Sequence, residues 1–232
     1  MMTPQATIVC LFGTKGAGKD TVADYLLQLH PNACKLGFAD LLKQVVGTAF
    51  EFDASKMDEF DYKEQTLDSD GISCRQRLTE VGELFREQYG RAFWSNKLFQ
   101  RIDAQLAQMP PNALILVKDA RFEEEWEALK AYYATRETIQ VCSIKITRYY
   151  YPQDALFLLG QSPLPTEMVA KMLLEQHRLE FDPAQAAYRQ LGVAEKAEQA
   201  IHQVKTDAEL LNFFGEKERL YASVEAFWSK LR

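Results

Sequence analysis

The stretch TIVCLFGTKGAGKDTVADYLL, Thr7 to Leu27, decides the fold. Residues 7–12 form a short apolar run with β-branched members, the pattern of a strand buried on both faces. Gly13, Gly16 and Gly18 break that run. From Asp20 onward Val22, Ala23, Leu26 and Leu27 share one helical face. The expected order is strand, glycine-rich turn, helix. Gly13-Thr14-Lys15-Gly16-Ala17-Gly18-Lys19 fits G-x-x-x-x-G-K, a phosphate-cradling loop. Glycines let backbone N–H groups turn inward around an anion because no Cβ obstructs them. The helix that follows points its positive dipole end at the same place. Lys19 would reach the β- and γ-phosphates. The next position ordinarily holds Ser or Thr for Mg²⁺, but here it is Asp20, followed by Thr21. A carboxylate beside a polyphosphate needs a cation between them, which argues for Mg²⁺ held directly or through water. Asp20 also complements the helix dipole, and the two readings are compatible.

Composition sets the bounds. The chain has 232 residues, 47% hydrophobic and 26% charged, enough for one large α/β domain or one domain with an insertion. Its net charge of −6 and the lack of a Lys/Arg block argue against a dedicated nucleic-acid binder. No apolar run has the length of a membrane span, and no secretory signal is visible, so a cytoplasmic setting is expected. Cys10, Cys34, Cys74 and Cys142 show no paired spacing, which suits reduced thiols. His30, His177 and His202 lie too far apart to suggest a metal cluster or a catalytic triad. A homodimer stays open.

The sequence predicts helices over 19–30, 40–50, 75–88, 93–108 and 123–134, and strands over 33–38, 113–117 and 138–146. Beyond 150 it predicts mostly helix, over 166–180, 183–191, 194 onward, 207–214 and 216–231, with a weak strand near 200–204. Between 51 and 70 eight acids stand against two lysines with little periodicity. That segment reads as a solvated loop or as a flap over an acceptor site, extending to about 72. The 150–196 region reads as a helical lid or insertion. Alternating strands and helices imply a mostly parallel five-stranded sheet with right-handed crossovers, a three-layer α/β/α arrangement. In such sheets the site lies beyond the carboxyl ends of the strands. That rule gathers the loop, then Lys43, then Asp119 and Arg121, then Arg148.

Phosphoryl transfer asks the protein to hold two substrates in line and to place cations against the moving charge. Lys43 offers a point charge, whereas Arg75, Arg86, Arg121 and Arg148 can grip phosphate bidentately. Each is equally readable as half of a surface ion pair. Asp119 follows the apolar run Leu114-Ile115-Leu116-Val117, as a second Mg²⁺ contact would, though Lys118 interrupts. It could instead cap the helix beginning near Phe122.

Four segments together resemble the phage-type deoxynucleoside monophosphate kinases of the nucleoside-monophosphate-kinase-like P-loop superfamily. They are GTKGAGKDT at 13–21, GFADLLK at 37–43, RQRLTEVGELFR at 75–86 followed by Phe93-Trp94, and DARFEEE at 119–125. The resemblance implies a P-loop kinase fold, ATP and Mg²⁺ as cofactors, and transfer of the γ-phosphate to a deoxynucleoside monophosphate. It implies Lys43, Arg75 and Arg121 at the acceptor, with Arg148 approaching the transferring phosphates. Two alternatives stay open. One is a kinase for another small phosphorylated metabolite, such as phosphomevalonate. The other is a nucleotide-binding module without turnover.

Overall fold

The computed structural model describes residues 5–66, 71–152, 154, 179–191 and 199–231. In chain order the elements are β1 (Ala6–Phe12), α1 (Lys19–Leu29), β2 (Ala33–Gly37), α2 (Asp40–Phe50), α3 (Phe60–Glu64), α4 (Cys74–Tyr89), α5 (Phe93–Leu106), β3 (Ala113–Lys118), α6 (Glu123–Tyr133), β4 (Ile139–Tyr150), β5 (Leu179–Asp182), β6 (Ala187–Gln190), a 3-10 turn (Ile201–Gln203), β7 (Ala208–Phe213) and α7 (Lys217–Leu231). They divide into two units: Met1–Lys35 with Met109–Arg232, and Leu36–Gln108.

The first unit is built on the sheet β2-β3-β1-β4-β6-β5, with β7 also paired to β4. β1 is parallel to β3 and β4, and β4 is parallel to β7. Ile8 to Phe12 are wholly buried, as a central strand covered on both faces requires. On one face Val9, Leu11, Leu114, Leu116, Cys142, Ile144, Ile146 and Leu210 meet Val22, Ala23 and Leu26 of α1 and Leu220 and Val224 of α7. Tyr25 and Tyr221 stack between those helices with ring centroids 3.8 Å apart. On the other face Cys10, of opposite parity to Val9 and Leu11, is wholly buried, and α6 contacts β4. The result is the α/β fold with a mostly parallel sheet that the strand–helix alternation predicts.

β4 is the branching strand. Ile144 pairs with Leu11 of β1 and with Ala208 of β7, so those two strands flank it on opposite edges. Tyr149 pairs with Phe213 of β7 and, antiparallel, with Arg189 of β6. The β5–β6 hairpin therefore takes the edge of β4 that β1 leaves after Phe12.

The second unit is helical, with α4 packed against α2, α3 and α5. Ser73 caps α4 reciprocally: its Oγ accepts from Gln76 N, and the Gln76 side chain accepts from Ser73 N at 2.9 Å. Trp94 Nε1 donates to the Gly82 carbonyl at 3.1 Å, tying α5 to α4. Phe52 and Met57 are buried with Val46 and Cys74, so the acid-rich segment after α2 is anchored at two apolar points.

The early helices and strands match their expected spans within about two residues, a normal fraying margin, except that β4 runs four residues past Ile146. The C-terminal third departs further. Residues 183–191, expected as helix, contain the turn and second strand of the hairpin. Residues 207–214, also expected as helix, form β7, and the weak strand near 200–204 is a 3-10 turn. β7 adds a parallel strand beside β4, and the hairpin adds two antiparallel strands, so the sheet has seven strands rather than five. The error in β7 is one of period: Leu210, Leu211, Phe213 and Phe214 suit either period, and the short run closed by Gly215 favours a strand. Most of the expected helix over 166–180, and part of that from 194 onward, lie outside the described residues.

Candidate phosphate-binding site

The 13–19 loop leaves β1 and enters α1 through three glycines with φ of 152° at Gly13, 77° at Gly16 and 105° at Gly18. Two of them are required sterically as well. A Cβ on Gly13 would lie 2.6 Å from the Ile146 carbonyl oxygen, and one on Gly18 would collide with the Asn212 amide. Thr14 and Ala17 are buried, while Lys15 and Gly16 form the exposed crest. Lys19 Nζ donates to the Gly13 carbonyl at 2.6 Å and the Thr14 carbonyl at 3.0 Å, bracing the loop through its own carbonyls. Gly18 is the N-cap of α1 and no side chain caps that first turn. The N–H groups of that first turn are therefore left to a ligand or to water, and the helix dipole points its positive end towards the loop. Asp20 is exposed in the first turn and Thr21 is partly buried.

Neighbouring strand ends bring further groups to this edge. Cys10 pairs with Val117, so Asp119 sits at the level of the end of β1. Asp119 holds φ 67°, a left-handed conformation for a side-chain-bearing residue, and its Oδ2 is buried without a hydrogen bond. Such strain is common at functional positions. The capping role open to Asp119 falls to another residue: Glu125 Oε2 accepts from the backbone N–H of Arg121 at 2.9 Å and of Phe122 at 3.2 Å. Arg121 follows Asp119 with an exposed side chain, on the same sheet edge as Lys19. A buried carboxylate oxygen lacking a donor suits a cation. Among the described residues no three His, Cys, Asp or Glu gather as a metal set. Mg²⁺ needs only one or two carboxylates when phosphate and water complete its shell, so Asp119, with its bare buried oxygen, is a residue that could hold it.

Arg148 lies within β4 rather than after it, because the strand is longer than its apolar core suggests. Its guanidinium stacks over the rings of Tyr150, 5.5 Å away, and Phe214, 5.1 Å away. It pairs in register with Asn212 of β7, so both project from the face that carries the loop and α1. Asn212 Nδ2 donates to the Ala17 carbonyl at 2.7 Å, and Gln190 Nε2 of β6 donates to the Lys15 carbonyl at 3.2 Å. Neither carboxamide is legible as a site residue in the sequence, since both lie in segments whose spacing suggests helix.

In the second unit, Lys43 is buried and its Nζ meets Asp58 at 2.5 Å. Arg75 pairs with Glu64 at 2.5 Å and Arg86 with Glu83 at 2.6 Å, both among substantially exposed side chains. Arg77, passed over in the sequence, is the better sheltered arginine. Its side chain is 12% exposed and lies over the Phe50 ring, 4.6 Å from the centroid.

No protein-family model matches the sequence, and no curated protein matches it. Solved structures do. A provisionally assigned kinase from Chloroflexus aurantiacus is 12% identical with a TM-score of 0.45, covering 99% of this chain and 98% of that one. Dephospho-CoA kinase from Campylobacter jejuni is 11% identical with a TM-score of 0.42, covering 98% of each. Shikimate kinase from Acinetobacter baumannii, in complex with shikimate, is 14% identical with a TM-score of 0.35, covering 99% and 94%. Scores this low carry no conclusion about the chemistry of this chain.

Proposed function

We propose that the chain is a Mg²⁺-ATP-dependent phosphotransferase whose acceptor is a (deoxy)nucleoside monophosphate. The observation that carries the nucleotide half is the 13–19 loop: three positive-φ glycines, a lysine bonded to two of the loop's carbonyls and an uncapped helix N-terminus behind it. The acceptor half rests on the resemblance of the segments at 37–43, 75–86 and 119–125 to the phage-type kinases. In this reading the loop amides and Lys19 hold the donor phosphates. Asp119 and Asp20 hold Mg²⁺, which when bound neutralises charge on the phosphates. Arg121 stabilises the transferring group, aided by Arg148. Lys43, Arg75 and Arg86, together with Arg121, serve the acceptor phosphate. In this reading either the acid-rich segment near 51–72 or the 155–196 region, most of which lies outside the described residues, moves over the substrates to exclude water.

The alternative acceptor is another small phosphorylated metabolite of the phosphomevalonate kind, and the alternative class is a binding module without turnover. A panel of four deoxynucleoside monophosphates, each incubated with Mg²⁺-ATP and followed by ADP release, separates these readings. Turnover with at least one is expected, and inactivity with all four would remove the nucleotide acceptor. Lys19→Met is expected to abolish ATP binding. Arg121→Ala should lower kcat about tenfold to a hundredfold while ATP affinity stays within about twofold, since a charge-assisted contact to phosphate is worth roughly 1.5–3 kcal/mol. An unchanged rate in Arg121→Ala would take that residue out of the mechanism.

A further inference from the structure

A phosphate loop works only if its carbonyls point outward, leaving the N–H groups to face the anion. In this chain the carbonyls of the loop have identifiable partners. Lys19 Nζ takes those of Gly13 and Thr14, and Ala17 N also donates to Thr14 O at 3.0 Å. The other two partners come from distant strands: Gln190 Nε2 on Lys15 O, and Asn212 Nδ2 on Ala17 O. A planar trans peptide sets C=O and the next N–H on opposite sides. Holding Lys15 O outward therefore turns the Gly16 N–H inward, and holding Ala17 O does the same for Gly18 N–H. These are the two loop positions where glycine leaves the backbone softest and most in need of an external constraint.

The two carboxamides belong to one row. Arg148 pairs with Asn212 in the β4–β7 ladder. Tyr149 pairs with Arg189 and Tyr150 with Tyr188, so the same antiparallel register continued by one residue sets Gln190 opposite Arg148. Gln190, Arg148 and Asn212 thus cross three strands on one face, directly behind the loop. Gln190 is 8% exposed and Asn212 4%, which rules out casual surface contacts. Arg148 stands between them, steadied by the Tyr150 and Phe214 rings.

We propose that Gln190 and Asn212 are positioning residues for the phosphate loop, so that the β5–β6 hairpin and β7 set the direction of the Gly16 and Gly18 amides before a polyphosphate arrives. This rests on the reading that the loop takes a polyphosphate. The substitutions Gln190→Met and Asn212→Leu remove each donor while nearly keeping its volume. Calorimetry of the full chain with inorganic tripolyphosphate and with Mg²⁺-ATP is the first measurement. Each substitution is expected to weaken both ligands by a similar factor, about three- to tenfold for one neutral hydrogen bond. Amide spectra of the unsubstituted chain are the second. Tripolyphosphate should shift the Gly16 and Gly18 amide protons more than those of Lys15 and Ala17, and each substitution should reduce the shift at its own glycine while melting stays within a few degrees. Full affinity in both folded variants would overturn the proposal. If a variant does not fold, the unsubstituted chain decides: Gly16 and Gly18 amides that ignore tripolyphosphate also overturn it. A chain that binds neither tripolyphosphate nor ATP refutes the loop reading itself, a distinct result from binding that the substitutions leave untouched.

Discussion

At the scale of single residues, Asp119 carries the sharpest conflict between stability and role. It combines a left-handed backbone, φ 67°, with a buried carboxylate oxygen that has no donor. Both features cost free energy, and neither is needed for the turn, because Glu125 satisfies the N–H groups of Arg121 and Phe122. Asp119→Gly relieves both at once and is expected to raise the stability of the chain by up to about 1 kcal/mol in urea unfolding, while abolishing Mg²⁺-dependent turnover. A loss of stability would mean that the carboxylate has a structural partner. Gly18 poses the opposite case. Gly18→Ala meets a strained φ of 105° and the Asn212 amide, so it should destabilise by about 1–3 kcal/mol and weaken ATP binding together.

Among the elements, α4 and β4 repay the closest reading. α4 begins at a reciprocal cap between Ser73 and Gln76, and ends at Gly90 with φ 94°. Ser73→Ala should cost about 1 kcal/mol in chemical unfolding, the usual worth of such a cap; a change within error would mean that packing of Cys74 and Val81 alone holds the helix start. β4 is long because its end is shared. Its last residues carry the hairpin on one edge and β7 on the other. Tyr149 in that shared section donates to Asp182 at 2.9 Å, and burial together with that bond pushes its phenol up to about 12.

Across the whole molecule, buried thiols make alkaline pH the revealing variable. Cys142 is pushed up to about 12 by burial and by Asp207, and burial also drives Cys10 well upward. A thiol raised in the folded state is protonated there while the unfolded chain ionises. Its contribution is complete below the unfolded value near 9 and is lost as pH climbs towards the folded one. Unfolding free energy should therefore fall above about pH 9, by at most about 1.4 kcal/mol per pH unit for each such group. In Cys142→Ala the fall should be shallower, and an unaltered slope would exclude that thiol. Among the described residues no helix is long and apolar enough to cross a membrane.

The loop and the first half of the fold were legible because their signals are local. Glycine at fixed offsets, a buried run before it and a helical stripe after it concern neighbours in the chain, and the backbone obeys them wherever the segment folds. The position of Asp119 and Arg121 just past a strand end was legible for the same reason, as the end of an apolar run. Gln190 and Asn212 were not, since a carboxamide announces nothing until its partner is known, and their partners lie 175 and 195 residues away. The strand β7 was misread for a related reason: its apolar spacing satisfies two periods, and only pairing with β4 selects one. Sequence alone determined the glycine pattern of the loop and its place between strand and helix; the tertiary sheet decided what its Lys15 and Ala17 carbonyls bond to, because those partners sit on strands remote in the chain.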